Sequence, residues 1–288
     1  MEKFEEWLCK LSQDEKTGPV LYHYTDSGGL LGIISNATLR LGDIRYMNDP
    51  SERIFGVQVA HAALAGYPGG LASDVREALE TALQNLATEA ELDLIPFAFS
   101  LTRSPDDLGQ WRSYCGDGQG FCIGFKVSAI WRPTSSILGL FRIRYFEDKQ
   151  IALFHEFYRV MAGLHAEAKP DEHKRASLAK LWVLGLLLLT SVVKNKSYMS
   201  EKEWRLIELV KVGHSSQIEF AARRRMLRPF IVRAFAELAS GATATPVEEV
   251  ILGPSLDPSV ASAVRMLFTR RGLPIPRMRA SEVPLRIL

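Results

Sequence analysis

Residues 95–101 read IPFAFSL, a run of seven residues in which Ser100 is the one polar side chain. A short apolar run that is rich in aromatic residues is typical of a buried strand. Further strand-like runs lie at 20–25 (VLYHYT) and 121–127 (FCIGFKV), with helical patterns between the runs. Because no repeat or low-complexity linker interrupts this alternation, the sequence predicts a single α+β domain over residues 1–288.

A helical block is predicted between residues 149 and 198, as two long helices on either side of the break at Lys169-Pro170-Asp171. We interpret it as a helical insertion, because it separates two strand-rich parts. It contains the apolar run 181–193 (LWVLGLLLLTSVV), whose 13 residues are too few for a membrane span, which needs about 20. The run is therefore predicted to be a buried core helix. Another helix is predicted from Arg223 to about Ser240.

The composition is that of a globular protein, with 288 residues of which 47% are hydrophobic and 24% charged. The net charge of +2 gives no overall basic excess for binding nucleic acid or an anionic membrane. Three cysteines without a C-x-x-C pair argue against a disulfide scaffold and a cysteine-rich zinc site. The first six residues, MEKFEE, lack the apolar core of a secretory signal, so a cytoplasmic location is expected.

Polar side chains that suit glycosidic chemistry occur in three strand-like segments: 21–25 (LYHYT), 99–102 (FSLT) and 201–205 (EKEWR). Because side chains alternate along a strand, His23 and Thr25 should share one face, as should Ser100 and Thr102. On the same reasoning Glu201 and Glu203 would form a carboxylate pair about 7 Å apart. One carboxylate could anchor a hydroxyl while the other stabilises an oxocarbenium-like transition state.

Structural explanations exist for the same residues. A histidine between tyrosines is often a core or edge residue, and Ser100 and Thr102 are ordinary strand residues. Glu203 could instead form an ion pair with Arg205 on the same strand face. Other chemistries are not indicated, because the sequence has no H-E-x-x-H zinc motif and no G-x-S-x-G nucleophile motif.

Several segments, in this order, resemble a bacterial protein family known as domain of unknown function 2971. They cover most of the chain and read LYHYTDSGGLLGII, LRLGDIRYMNDPSE, FSLTRSPDDLGQWRSYCGDGQGFCIGF, EKEWRL and VEEVILGP. That family in turn resembles the ADP-ribosyltransferase superfamily. The resemblance implies an ADP-ribosyltransferase-like fold, which is a split mixed β-sheet core with flanking helices.

The same resemblance implies an enzyme that uses NAD as its substrate. His23 is similar to the histidine that holds the NAD ribose, and Ser100-Leu101-Thr102 is similar to the S-T-S element. Glu201-Lys202-Glu203 looks like the E-x-E element, with Glu203 in the catalytic position and Glu201 where the acceptor is often contacted. Further NAD-contacting candidates are Tyr24, Thr25, Tyr46, Asn48, Gln110, Trp111 and Tyr114.

Two departures from the superfamily pattern are present, since Leu101 replaces the middle polar residue and a long segment precedes Glu201. The leading hypothesis is an NAD-dependent ADP-ribosyltransferase (a glycosyltransferase) or NAD glycohydrolase, acting as a toxin or phage-defence effector. Its acceptor would be protein or nucleic acid, and no membrane partner is expected. The alternatives are an inactive module that binds nucleotide or nucleic acid, and a protein-interaction scaffold. A cleft shared by His23, Ser100 and Glu203 would favour the enzyme, whereas Glu203 buried against Arg205 would favour a structural role.

Overall fold

The strand predicted around Ser100 is β3, and the whole sheet is organised on it. The computed structural model describes residues 2–12, 18–47, 49, 51–88, 94–116, 118–131, 138–168, 172–223, 226–238 and 245–284. The strands are β1 Val20–Thr25, β2 Thr38–Asp43, β3 Leu94–Thr102, β4 Phe121–Lys126, β5 Leu138–Arg142, β6 Glu203–Lys211, β7 Ile218–Arg223, β8 Met226–Ala234, β9 Val247–Leu252 and β10 Arg277–Ala280.

Helices occupy much of the chain between these strands. The α-helices are α1 Glu2–Ser12, α2 Ser27–Asn36, α3 Glu52–Ala65, α4 Ser73–Thr88, α5 Leu108–Tyr114, α6 Val127–Ile130, α7 Glu147–Ala168, α8 Glu172–Thr190, α9 Phe235–Leu238 and α10 Val260–Arg270. In the described ranges, 3-10 helices span Ile44–Tyr46, Lys196–Glu201 and Val212–Gln217. The structure confirms the predicted α+β class, with helices and strands distributed along the same chain.

The sheet forks at β3. One edge of β3 pairs with β6 along its whole length, from Leu94↔Lys211 to Thr102↔Glu203. On its other edge, β1 joins at the single pair Tyr22↔Thr102, and β2 joins farther along, at Gly42↔Ala98 and Asp43↔Phe97. One branch therefore runs β1-β4-β9-β10 and the other runs β2-β8-β7, while β5 flanks β6. All strand pairs are antiparallel except β9 with β10, so the sheet is mixed.

Both faces of the sheet are covered by helices because both carry apolar side chains. On one face, Phe99, Trp204 and Ile231 form a core with residues of α2, α9 and α10. On the other face, Ala98 and Ile207 join a core built mainly from α1, α3, α4, α7 and α8. Side chains at neighbouring positions of β3 thus belong to different cores, as the strand period of two requires.

The chain between β5 and β6 forms α7 and α8, although these two strands pair directly with each other. The helices pack through aromatic side chains, with the rings of Phe157 and Trp182 edge to face at 5.4 Å. Much of the apolar run 181–193 is buried in this packing. No helix in the described ranges is long and apolar enough to cross a membrane. The predicted break at 169–171 lies outside the described residues.

The helix predicted from Arg223 to Ser240 is wrong over most of its length. Met226–Ala234 is instead β8, which forms a hairpin with β7 and pairs with β2, and only Phe235–Leu238 is helical. Pro229 cannot sit unstrained in a helix interior. Pairing with β2 and β7 buries Phe230 and Ile231, so tertiary pairing overrides the helical propensity of the neighbouring residues.

Candidate functional site

Five charged side chains form a cluster where α3, β6 and the 3-10 helix Lys196–Glu201 meet. We call it the ion-pair cluster. Four of the five are buried, although charged side chains are seldom buried unless they are paired. Its members are Glu52, Lys194, Glu201, Glu203 and Arg205.

Arg205 is the deepest member, with 1% of its surface exposed. Its Nε donates to Oε1 of Glu203 at 2.8 Å and its Nη2 donates to Oε2 of Glu203 at 3.1 Å. Nη2 also donates to Oε2 of Glu52 at 3.0 Å, and Nη1 contacts the other Glu52 oxygen. Glu52 begins α3, and its carboxylate turns inward to the guanidinium.

Lys194 connects three carboxylates. Its Nζ lies 2.5 Å from Oε2 of Glu201, 3.1 Å from Oε2 of Glu203 and 3.8 Å from Oε2 of Glu52. Burial alone would lower the pKa of this ammonium, but the charges of Glu203 and Glu52 outweigh burial and raise it. The ammonium also lies over the ring of Tyr198, 4.7 Å from its centre, a cation–π contact.

The two carboxylates that share Lys194 have opposite pKa shifts. Burial opposes the ionisation of Glu203, yet Arg205 and Lys194 lower its pKa from 4.5 to about 2. For Glu201, burial prevails over Lys194 and the pKa is raised. Glu201 also keeps 21% of its side chain exposed, so it forms the solvent-facing edge of the cluster.

The prediction that Glu201 and Glu203 share a strand face is wrong. Glu201 ends the 3-10 helix, and β6 begins only at Glu203. Between them Lys202 adopts a left-handed conformation with φ of 44°, which is uncommon for a residue with a side chain. This turn lets both carboxylates reach Lys194 from different directions.

Ser100 and Thr102 lie beside the carboxylates, as the sequence suggested. The β3–β6 register places Ser100 opposite Arg205 and Thr102 opposite Glu203, so all four side chains share one face of the sheet. The Ser100 hydroxyl donates to Glu203 and helps to lower its pKa. Thr102 Oγ1 donates to the backbone carbonyl of Glu201 at 2.7 Å, which fixes the end of the 3-10 helix.

His23 lies on the opposite face of the sheet, and this corrects the expectation of one shared cleft. The pair Tyr22↔Thr102 puts Tyr22 on the face of Thr102, so His23 and Thr25 point the other way. The imidazole stacks on Phe99, with ring centres 4.3 Å apart. Its burial lowers the pKa to about 4.

The fork explains why a histidine occupies position 23. His23 Nδ1 lies 2.9 Å from the backbone oxygen of Ser100. Ser100 lies between the junctions of β3 with β1 and with β2, at Thr102 and Ala98 respectively. Since a carbonyl can only accept, Nδ1 carries the hydrogen and Nε2 is left as an acceptor at neutral pH. His23 thus bonds to a β3 carbonyl at the place where β1 and β2 diverge.

Three other candidates, Tyr24, Gln110 and Trp111, are buried where α5 packs on β1. The Tyr24 hydroxyl donates to the carbonyl of Ser104 at 2.9 Å and accepts from the N–H of Asp107 at 2.8 Å. Tyr24 and Trp111 pack edge to face at 4.8 Å. These contacts account for Tyr24 and Trp111 as support for the loop before α5.

The remaining candidates lie nearer the surface. Tyr46 is half-buried beside Arg45, whose guanidinium carbon is 6.0 Å from the centre of the tyrosine ring. Tyr114 is exposed at the end of α5, a helix that also contacts the 3-10 helix Lys196–Glu201. Asn48 lies outside the described residues.

Sequence reasoning missed Lys194 and the inward role of Glu52. Lys194 directly follows the apolar run 181–193, which was predicted to be buried. This position was the available signal that the charge of Lys194 would need a buried partner. Nothing local pointed to Glu52, which meets Arg205 across 153 positions of sequence. The hydrogen bond from Tyr198 to Asp49 was not anticipated either.

Of the two described pockets, one borders the ion-pair cluster at Glu52, and neither is lined by Glu201 or Glu203. One narrow pocket is bordered by Glu52, Thr190 and Ser191 together with apolar side chains of α3, α4 and β3. A second, more open pocket lies between α3 and α4. Neither is lined by His23, Ser100 or Glu203. Within the described ranges, no three His, Cys, Asp or Glu side chains are grouped to hold a metal ion.

Comparison with protein-family models gives a match to part of the chain. Residues 110–206 match the model of a family described as Protein of unknown function (DUF2971). The matched segment runs from α5 into β6 and includes four of the five members of the ion-pair cluster. No curated protein and no solved structure matches the chain significantly. The match supports the family resemblance, and the description of the family assigns no activity.

Proposed function

We propose that the chain cleaves the N-glycosidic bond of NAD, as an ADP-ribosyltransferase or NAD glycohydrolase, at the solvent-facing edge of the ion-pair cluster. The observation that carries the proposal is the opposite pKa shift of two carboxylates that share Lys194. When the surroundings shift the pKa values of two carboxyl groups in opposite directions, one group can act in acid–base catalysis and the other in electrostatic stabilisation.

The two roles follow from burial and charge. Glu203 stays ionised at every physiological pH and would stabilise the positive charge that develops on the ribose as nicotinamide leaves. Glu201 is partly exposed and has the higher pKa, so it would accept a proton from the attacking water or acceptor hydroxyl. Ser100 would orient Glu203 through the hydrogen bond that it donates. NAD carries its own leaving group, nicotinamide, so the protein needs to supply little acid catalysis.

A second candidate function is a nucleotide-binding module without turnover. The specific observation in its favour is that Glu203 is only 7% exposed and that Arg205 and Lys194 already contact its oxygens. Two cations at hydrogen-bonding distance offset the negative charge that would otherwise face a substrate. His23, on the far side of the sheet, cannot contact a ligand held against this face.

The test is nicotinamide release from NAD at millimolar concentration, measured by chromatography alongside NAD binding by calorimetry. We expect Glu203→Gln to lower turnover by about 10²–10³-fold, a typical loss for one electrostatic group. Glu201→Gln should impair transfer to an acceptor more than it impairs binding. Glu248→Gln, an exposed change on β9, is the matched control and should behave as the wild type.

The outcomes separate the two functions. NAD binding without nicotinamide release, unchanged in Glu203→Gln, would support the binding module. Neither release nor binding by the wild-type protein would contradict both and leave the scaffold hypothesis.

A further inference from the structure

The side chain of Tyr145 replaces a backbone partner at the end of the β5–β6 ladder. The two strands pair as far as Arg142↔Trp204, and the next bond still follows the ladder, since the N–H of Ile143 donates to the carbonyl of Glu203 at 3.1 Å. A regular antiparallel ladder would return a bond from the N–H of Glu203 to the carbonyl of Ile143. That N–H donates instead to the hydroxyl of Tyr145, at 2.9 Å.

The chain leaves the ladder here because residue 144 bridges to the segment that follows α8. The N–H of Arg144 donates to the carbonyl of Val192 at 2.8 Å, and its carbonyl accepts from the N–H of Lys194 at 3.0 Å. This bridge holds the following residue, Tyr145, against the end of β6. Its phenol oxygen therefore lies at the ion-pair cluster, bonded to the backbone of one member of the cluster.

The phenol has a donor that no other side chain or backbone group uses. A tyrosine hydroxyl has one hydrogen to donate, and among the described residues Tyr145 has the Glu203 N–H as its hydrogen-bond partner, which is itself a donor. Burial and the negative charge of Glu203 raise the pKa of Tyr145, so the hydroxyl keeps its hydrogen at physiological pH. The side chain is half-buried at the border of the helical core, where a ligand could accept from it.

The carboxylate of Glu203, in contrast, is fully occupied. Its oxygens accept from Nε and Nη2 of Arg205, from Nζ of Lys194 and from the hydroxyl of Ser100. These donors fill the roughly four lone-pair sites of a carboxylate. Glu203 can therefore act on a bound ribose through its charge, while another group must hold the hydroxyls of the sugar.

We infer that Tyr145 is a substrate-binding residue, whose hydroxyl donates a hydrogen bond to a hydroxyl oxygen of the nicotinamide ribose. The inference rests on the proposed function, since it requires that this ribose lies against the charge of Glu203. A sugar hydroxyl can accept such a bond. The bond orients the ring, so that the carbon that becomes positive as nicotinamide leaves faces the carboxylate.

The test compares NAD with two analogues, each of which lacks one of the two hydroxyls of the nicotinamide ribose. Tyr145→Phe should lower kcat/KM for nicotinamide release from NAD by about 3–10-fold, which is typical of one neutral hydrogen bond. With the analogue that lacks the contacted hydroxyl, the same substitution should have no further effect. A purely structural role, in which only the partner of the Glu203 N–H is lost, lowers the rate by the same factor for all three substrates.

Tyr67→Phe is the matched control. Tyr67 is also a half-buried tyrosine, and its ring packs against that of Tyr158 in α7, with ring centres 6.0 Å apart. This variant should behave as the wild type with all three substrates.

A second measurement does not depend on the folding of Tyr145→Phe. 3-Fluorotyrosine at position 145 keeps the hydroxyl and the bond from Glu203. Its fluorine resonance should shift when NAD is added and should shift less with the analogue that lacks the contacted hydroxyl.

The outcomes separate this inference from the proposed function. In a chain that cleaves NAD, equal factors for all three substrates or equal resonance shifts would overturn the inference and leave the proposed function standing. A wild-type chain that neither binds nor cleaves NAD would overturn the proposed function and the inference with it.

Discussion

Arg205 donates to both carboxylate oxygens of Glu203, two residues away on the same strand, at 2.8 and 3.1 Å. This contact bears on both the stability and the proposed chemistry of the site. The guanidinium keeps Glu203 ionised, which a charge-stabilising carboxylate requires. The same guanidinium also occupies the carboxylate oxygens that a substrate would approach.

Removing the guanidinium should destabilise the fold strongly. Arg205→Met leaves Glu52 and Glu203 buried with only Lys194 to offset them, and breaking a buried ion pair from one side costs about 3–5 kcal/mol. Urea denaturation measures this loss of unfolding free energy. Arg265→Met, at an exposed position of α10, should stay within about 0.5 kcal/mol of the wild type. Similar losses in both variants would show that the cluster does not stabilise the fold.

Ionised Glu203 should stabilise the fold in a defined pH window. Its pKa is lowered from 4.5 to about 2 in the folded chain, so its stabilisation is complete above 4.5 and is lost as the pH falls through about 2. The wild-type carboxylate binds a proton as the pH falls, whereas the amide of the variant Glu203→Gln does not. The difference in unfolding free energy between wild type and variant should therefore shrink from pH 5 to pH 2. A difference that does not change with pH would contradict the ion-pair assignment.

His23 should titrate near pH 4 in the folded chain, because burial lowers its pKa from 6.5 to about 4. Below 6.5 the unfolded imidazole binds a proton that the folded one does not, so this residue reduces stability as the pH falls from 6.5 to 4. The chemical shift of its ring protons, assigned by comparison with His23→Gln, reports the pKa directly. Titration close to 6.5 would contradict the position of the imidazole against Phe99 and the Ser100 carbonyl.

Two glycine-to-alanine substitutions should change stability in opposite directions. A Cβ on Gly56 of α3 would lie 2.5 Å from the carbonyl oxygen of Thr190, so Gly56→Ala must push α3 away from α8, at about 1–3 kcal/mol. A Cβ on Gly32 of α2 meets nothing within 4 Å. Gly32→Ala should therefore stabilise that helix by about 0.5–1 kcal/mol. Thermal unfolding of both variants is the measurement, and a melting temperature that is unchanged or raised in Gly56→Ala would contradict the α3–α8 packing.

Elements with a strong local period could be predicted from the sequence. The apolar run around Phe99 and the alternation in 20–25 suffice to locate β3 and β1, and the apolar residues at helical spacing locate α7 and α8. Strand β8 was missed because its pattern is weak and its burial depends on β2 and β7, which are distant in sequence. The fork has no local signal at all, since it depends on which strand pairs with which part of β3.

The site was predictable only within single strands. Alternation correctly placed Ser100 with Thr102, but the relation of β1 to β3 depends on register, and a shift of one residue reverses the face of every side chain. That is why His23 lies on the opposite face from Ser100 and Glu203. The left-handed turn at Lys202, which removes Glu201 from the strand, occurs at a residue type that does not favour it.

The fork also determines how the molecule can come apart. Branch β1-β4-β9-β10 takes β1 from the first part of the chain, β4 from the middle, and β9 and β10 from the last part. Among the described residues, its backbone pairing to β3 consists of Tyr22↔Thr102 alone. A region joined by so few backbone hydrogen bonds is suited to open as a cooperative unit before global unfolding. Its strands are interleaved in sequence with those of the other branch, so neither branch corresponds to a contiguous fragment. A cleaved or truncated chain would lose strands from the branch containing β1 while β3 and β6 remained paired.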